Sequence, residues 1–408
     1  MKPWHGSAYK TKMHVRNEII NSNNRIKMKT KAIALLLLFM TGTMSSAQNN
    51  RQNRQDDYLE RRWSQVATQM EPEWYGSDDA RRVAETVLSF QKEIGGWEKN
   101  QPYHQLEADS LKSALLQKTT RKSATIDNGS TITELRFLAN MHAQTKDGRY
   151  RKAFEKGVQF ILAAQYRNGG WPQYYPVRST RDEISTDKTM PYSMHITYND
   201  NAMVNVMRFL RDIYSDNEAF RSLDINQSTR KKARKAFEKG IDCILNTQIR
   251  IDNQPTVWCA QHDEKTLAPA NARAYELVSF SGSESAGITL LLMEIDNSSK
   301  RVIEAVNGAV KWFDTNKIEG IRLERIINEE GQKDLVVVKD QNAPPIWGRF
   351  NDLETGKPFF CSRDGIKRET MAEISHERRN GYGWYTYAPA EVLKQYPAWQ
   401  KTIISQQR

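Results

Sequence analysis

The chain has 408 residues and a formal net charge of +11, from 60 Lys/Arg against 49 Asp/Glu. Eight of those basic residues and one acidic residue lie in residues 1–47, so the remainder carries only about +4 and its charge gives no argument for a nucleic-acid partner. Cys243, Cys259 and Cys361 are too few for a disulfide framework, and no Cys/His spacing resembles a zinc site.

The run from Met28, MKTKAIALLLLFMTGTMSSA, has basic Lys29 and Lys31, an apolar stretch Ala32–Met40 too short to span a bilayer, and a small-residue end Ser45-Ser46-Ala47. That is the pattern of a secretory signal peptide over 28–47, which predicts a secreted or periplasmic bacterial protein with no membrane span. Residues 1–27 read as a start-site artefact or an extended n-region, 48–60 as a linker, and 61–408 as the folded domain.

Within that domain the periodicity is helical. Residues 78–91 place Val83, Val87 and Phe90 on one face; 149–165 do the same with Phe154, Val158, Ile161 and Leu162; 228–248 form a third such helix. Ala153-Phe-Glu-Lys-Gly157 is echoed by Ala236-Phe-Glu-Lys-Gly240. Each helix ends in a glutamine followed by a tryptophan: Gln91 and Trp97, Gln165 and Trp171, Gln248 and Trp258, the first two through Gly-Gly. After each unit comes a helix that starts at a polar loop, over 130–143, 200–214 and 284–297. This is a long-period helix-hairpin repeat, for which closure into an α/α toroid is the economical way to bury both faces. The helix at 301–314 packs on the third of these and helps to close the ring. The Gly-Gly turns stop a helix and allow positive φ, so Trp97 and Trp171 either fold back as packing residues or offer a face to a sugar. Residues 317–369 lose the helical period. Leu335–Val338 and Phe359-Phe360 read as a small β-ribbon on the rim, and Ala388–Gln395 as a last short helix.

The helix starts carry the chemistry. Thr131/Glu134 and Ser281/Glu284 have capping-box spacing, which explains both glutamates without a catalytic role. Asp127-Asn128 and Asn199-Asp200-Asn201 supply more oxygen donors than a cap needs. An all-oxygen set suits a hard cation such as Ca²⁺, with Asp127 and Asp200 as its partial protein shell. Arg273, Arg349 and Arg363 add forks that match carboxylates.

Asn168-Gly-Gly-Trp-Pro-Gln173, Thr125-Ile-Asp-Asn128, Ile196-Thr-Tyr-Asn-Asp-Asn-Ala-Met203, Ala272-Arg-Ala-Tyr-Glu276 and Ser281-Gly-Ser-Glu-Ser285 together resemble polysaccharide lyase family 10, the pectate lyases, over roughly residues 60–400. The resemblance implies an all-α (α/α)₃ toroid and Ca²⁺-dependent β-elimination of polygalacturonate to 4,5-unsaturated products. It implies Arg273 as the base for the C5 proton, with Asp127 in the catalytic set and Asp127 and Asp200 at the metal. Asn128, Asn201, Arg349, Arg363 and Trp171 form the substrate-binding set, and a monomer is expected. Since arginine is protonated in ordinary surroundings, Arg273 is either a base in an unusual field or a charge stabiliser. The rivals are a toroidal glycoside hydrolase, for which Glu134 and Glu284 are the formal acid–base pair, and a non-catalytic protein binding an acidic polysaccharide. The terpene cyclases share glutamine–tryptophan repeats, but their DxDD motif is absent.

Overall fold

A computed structural model describes residues 56–106, 123–177 and 192–406. The expected leader lies outside the described residues. The chain divides at residue 62 into two units, and of the first only residues 56–62 are described, including a 3₁₀ helix, Asp56–Glu60. Everything below concerns the second unit, residues 63–408.

That unit is mainly helical. In chain order the α-helices among its described residues are α1 (Trp63–Thr68), α2 (Asp78–Phe90), α3 (Ile132–Thr145), α4 (Gly148–Ala164), α5 (Ala202–Tyr214), α6 (Gln227–Thr247), α7 (Gly282–Met293), α8 (Lys300–Thr315), α9 (His376–Gly381) and α10 (Ala388–Gln406). Three hairpins follow one another: α3 packs on α4, α5 on α6 and α7 on α8. The first helices of the hairpins also touch in succession, α3 to α5 to α7, as do the second helices, α4 to α6 to α8. The first helices are buried nearly all round, as Met203, Val204, Val206, Met207, Phe209 and Leu210 of α5 illustrate. The second helices keep one apolar stripe and a charged outer face.

The repeat has a bonding basis. The indole N–H of Trp97, Trp171, Trp258 and Trp347 donates to the carbonyl of Val87, Ile161, Ile244 and Phe313 respectively, at 2.7–2.8 Å. Each acceptor lies in the last turn of a helix, where carbonyls have no partner within the helix. The glutamines link one hairpin to the next. Gln91 Nε2 donates to Ala153 O at 2.8 Å, Gln165 Nε2 to Ala236 O at 2.8 Å, and Gln248 Nε2 to Ala305 O at 2.9 Å. The echoed Ala-Phe-Glu-Lys-Gly segments are therefore the docking strips for the preceding turn. Gly95 (φ +108°) and Gly169 (φ +95°) rest on them so closely that a Cβ would stand 2.4 Å from Lys156 O and 2.0 Å from Lys239 O.

Three expectations change. The β-ribbon pairs Ile321–Ile327 (β1) with Lys333–Lys339 (β2), so Leu335–Val338 does not pair with Phe359-Phe360; Phe360-Cys361 pairs with Lys367-Arg368 instead. The short turn at 328–332, with Gly331 at φ +75°, makes the local hairpin the cheaper closure. The last helix runs on to Gln406 through Pro397, because its packing on α7 and α8 buries Trp399 and Ile403. Thr131 is not a cap. At φ +66° its hydroxyl accepts from Trp97 N and donates to Thr125 O, tying the Trp97 turn to the start of α3.

Glu134, freed from the capping box with Thr131, is buried and accepts from Trp63 Nε1 at 2.8 Å. Burial pushes its carboxyl up from 4.5 to about 7. A carboxyl raised in the folded state stabilises the fold least once it must ionise, so its contribution is lost as pH climbs from 4.5 to 7. Glu134→Gln, which keeps an acceptor for Trp63, is expected to exceed the wild type in stability by about 3 kcal/mol at pH 8 and to match it near pH 4. Urea denaturation at the two pH values measures this; equal stability at pH 8 would refute the buried-acid account.

Candidate functional site

Two loops of one design build the candidate site. Thr125 N donates to Trp97 O and Thr197 N to Trp171 O, both at 3.0 Å, so each loop leaves its tryptophan at the same place. A 3₁₀ turn follows in each, Asp127–Gly129 and Asn199–Asn201, and the two turns pack on one another. Asn128 (φ +52°), Asp200 (φ +49°) and Asn201 (φ +59°) take the left-handed conformation that Asn and Asp tolerate best. The chemistry is swapped between the loops. The first buries its carboxylate, Asp127, and exposes its amide, Asn128; the second buries its amide, Asn199, and exposes its carboxylate, Asp200.

Asp127 Oδ2 accepts from Lys99 Nζ at 2.5 Å and from Gln173 Nε2 at 2.8 Å, while its Oδ1 is buried without a hydrogen-bond partner among the described residues. Burial opposes the Lys99 charge, but Asp127 more than offsets it, so the ammonium pKa stands above the ordinary lysine value. Lys99, Gln173 and Arg349 each lie two residues after a clasped tryptophan, Trp97, Trp171 and Trp347. Arg349 is buried, and its Nη2 reaches Glu284 Oε1 at 2.5 Å, Asp200 Oδ1 at 3.0 Å and Asn199 Oδ1 at 3.2 Å. Asp200 titrates above the usual aspartate value. The largest cause is loss of part of its hydration to the side chains packed around it, although the carboxylate keeps one side open to solvent; the charges of Glu284 and Asp127 add to it while Arg349 opposes it. Glu284 is the N3 residue of α7: Ser281 Oγ accepts from its N–H at 3.2 Å and donates to its Oε2. Its other oxygen does not turn back to close a capping box but faces Arg349.

A second group adjoins the first. Arg273 lies along Glu276, donating from Nε to Oε2 at 2.8 Å and from Nη2 to Oε1, and Tyr382 OH donates to the same Oε1 at 2.6 Å. The Tyr382 ring lies under both guanidiniums, 4.8 Å from Arg349 Cζ and 5.7 Å from Arg273 Cζ. Burial on its own would lower the Arg273 pKa, but Glu276 reverses this and holds it above the usual arginine range. Tyr275 stands at 5.0 Å from Arg273, 5.8 Å from Arg363 and 4.5 Å from Arg378.

Asp127, Asp200, Arg273 and Arg349 are thus brought into one connected cluster. Arg363 lies at its edge, exposed and forked onto Glu377 at 2.9 and 3.2 Å. Asn128 is exposed and donates to Asn100 Oδ1 at 3.0 Å. Asn201 lies on Gly287 of α7, where any Cβ would stand 2.0 Å from its Oδ1. Trp171 is fully buried with its N–H spent on Ile161, so it has no face for a sugar and leaves the substrate-binding set. Sequence reasoning missed Lys99, Gln173, Glu276 and Tyr382 and set Glu284 aside as a cap. The tryptophan-plus-two position was a readable signal for the first two. Apart from this cluster, His195, Asp263 and Glu264 bring a ring nitrogen and two carboxylates within 4.8 Å of one another.

Carboxylates and forked arginines thus form one charged cluster on a helix-hairpin repeat. Residues 91–393 match the family model described as pectic acid lyase. The chain also matches the solved structure of a family 10 polysaccharide lyase from Cellvibrio cellulosa, with 30% identity, a TM-score of 0.67, and 82% of this chain and 94% of that one covered. An aspartate-to-alanine variant of the family 10 lyase from the same organism, in complex with trigalacturonic acid, matches at 31% identity and TM-score 0.67, over 82% of this chain and 95% of that one. No curated protein sequence matches. The chain belongs to the pectic acid lyase family, and is by that membership a polysaccharide lyase with pectate lyase activity.

Removing Arg349 would leave the almost fully buried Glu284 carboxylate without its cation. Arg349→Ala is expected to lose about 3–5 kcal/mol of stability, and adding Glu284→Gln to recover part of it. Chemical denaturation of both variants measures this; an Arg349→Ala protein as stable as the wild type would refute the pairing.

Proposed function

We propose that the chain cleaves α-1,4-polygalacturonate by Ca²⁺-assisted β-elimination, and that the hairpins close into an (α/α)₃ toroid with this cluster at one mouth. The observation that carries the reaction is the placement of Arg273 and Arg349 on one tyrosine ring, beside the linked Asp127 and Asp200 loops. The toroid is supported by the three glutamine links, which repeat one hairpin-to-hairpin offset.

A calcium ion fits these residues. Lys99, Arg273 and Arg349 face four carboxylates, Asp127, Asp200, Glu276 and Glu284, which leaves an excess of negative charge. Asp127 Oδ1 is a buried oxygen without a partner among the described residues, and exposed Asp200, Asn128 and Asn201 can each offer a side-chain oxygen. Asp127 and Asp200 would hold the ion, which when bound would draw off the negative charge that grows on a substrate carboxylate as the adjacent proton leaves.

The protein's own part is electrostatic and positional. Arg349 and Arg363 bind uronate carboxylates, with Asn128 and Asn201 at the sugar hydroxyls. Arg273 stands at the C5 proton. The C5–H bond breaks, its electrons form the C4–C5 double bond, and the C4–O4 bond breaks with its electron pair on O4, which takes a proton from water as the chain on the other side is released. With Arg273 as base, the proton passes to its guanidine. One observation favours the second role, in which the C5 proton passes to solvent water while Arg273 stays cationic and stabilises the enolate-like charge: Glu276 forks onto the guanidinium and holds the proton on it.

We also propose export with removal of residues 28–47, and a monomer. N-terminal sequencing and sizing of the secreted protein check both, with a start near residue 48 expected; retention in the cytoplasm would overturn it.

The central test is ultraviolet absorbance of the unsaturated uronate formed from polygalacturonate. A rise abolished by EDTA and restored by Ca²⁺ is expected; new reducing ends without absorbance would mean hydrolysis, and binding without either a non-catalytic protein. Arg273→Lys then separates the two roles. A base at 273 acts deprotonated, so the lower pKa of lysine moves the rising limb of kcat to lower pH. A charge stabiliser must stay protonated, so lysine instead brings the falling alkaline limb to lower pH and lowers the plateau.

A further inference from the structure

We propose that Tyr382 is a positioning residue that sets Arg273 and Arg349 in one register for the reaction; this rests on the β-elimination reading above. Tyr382 does two things at once. Its hydroxyl donates to Glu276 Oε1 at 2.6 Å, the oxygen that also receives Arg273 Nη2. Its ring face supports Arg349 at 4.8 Å, on the guanidinium whose Nη2 is shared among Glu284, Asp200 and Asn199. A shift of this ring therefore moves both cations together.

The ring is itself held from several sides. It stacks on Phe350 at 6.0 Å and 17°, and meets Trp384 at 5.2 Å and Tyr275 at 5.4 Å. The backbone that carries it is tied to the backbone of Arg349: Arg349 N donates to Trp384 O at 2.8 Å, and Trp347-Gly348 pairs with Tyr385-Thr386. Burial, reinforced by the Glu276 charge, pushes the phenol well above its usual value, so the hydroxyl remains a donor throughout the working pH range. Glu276 meanwhile receives four donors: Arg273 N, Nε and Nη2, and the Tyr382 hydroxyl. Loss of the hydroxyl alone leaves three of them and the whole aromatic packing, so the fold does not depend on it. What it loses is the third point that stops the Glu276–Arg273 pair from pivoting, and a small misplacement of a reacting group is costly in rate.

Tyr382→Phe tests the hydroxyl, Glu276→Gln its acceptor, and the double variant their coupling, with kcat and KM on polygalacturonate and a thermal melt for each. Tyr382→Phe is expected to lower kcat about tenfold with KM within about twofold and the melt unchanged. In the Glu276→Gln background the same change is expected to have little further effect, because glutamine has one acceptor oxygen, no longer forks Arg273, and so cannot pass the hold of Tyr382 on to the arginine. Tyr382→Leu, which also removes the ring face from Arg349, is expected to raise KM as well. A Tyr382→Phe enzyme with wild-type kcat, an effect on KM alone, or losses that multiply in the double variant would overturn the proposal. A wild type that makes no unsaturated product fails the β-elimination reading itself, before any variant is compared.

Discussion

The indole N–H of each clasped tryptophan, donated back to a carbonyl in the last turn of the preceding helix, is the contact on which the architecture turns. A buried carbonyl left without a partner costs on the order of 1–3 kcal/mol, so each clasp settles how the chain leaves its helix. The same bond settles what comes two residues later. In three units that residue is Lys99, Gln173 or Arg349, and each puts its side chain on the carboxylates of the mouth. In the remaining unit it is Ala260, whose backbone carbonyl instead receives the N–H groups of Tyr198 and Asn199 and so holds the second loop.

The mouth is an arrangement of charges taken out of water. Burial disfavours Arg349 and Arg273 as cations, and carboxylates beside them reverse that cost. Such pairs add little net stability, but they fix direction, which is what a site must have before charge develops on a substrate. Asp200 is the exposed member: it is partly neutralised by Arg349, crowded by two other carboxylates, and open to solvent.

Much of the helical plan was legible in the chain. The apolar periods located α2, α4 and α6 to within a residue or two, and the echoed Ala-Phe-Glu-Lys-Gly segments marked strips that receive the preceding glycine turn. The local rules failed where a side chain found a distant partner. Thr131 and Glu134 have capping-box spacing, yet Thr131 ties Trp97 to Thr125 while Glu134 meets Trp63. Ser281 and Glu284 share the spacing; Ser281 does cap, and Glu284 spends its free oxygen on Arg349. Sequence separation of 65 residues hides that contact.

What the sequence by itself determined is the helices of the repeat, their pairing into successive hairpins and the oxygen-rich loops that begin them, because apolar period, helix stops and turn residues act between near neighbours. Only the tertiary structure decided which of those polar residues form one site. Trp171 became packing because its indole reached a carbonyl ten residues back and was sealed in, and Arg273 gained its meaning from Tyr382, 106 positions beyond its partner Glu276. The reason is physical: a buried charge is positioned by whichever partner can compensate it, and in this fold that partner comes from another turn of the repeat.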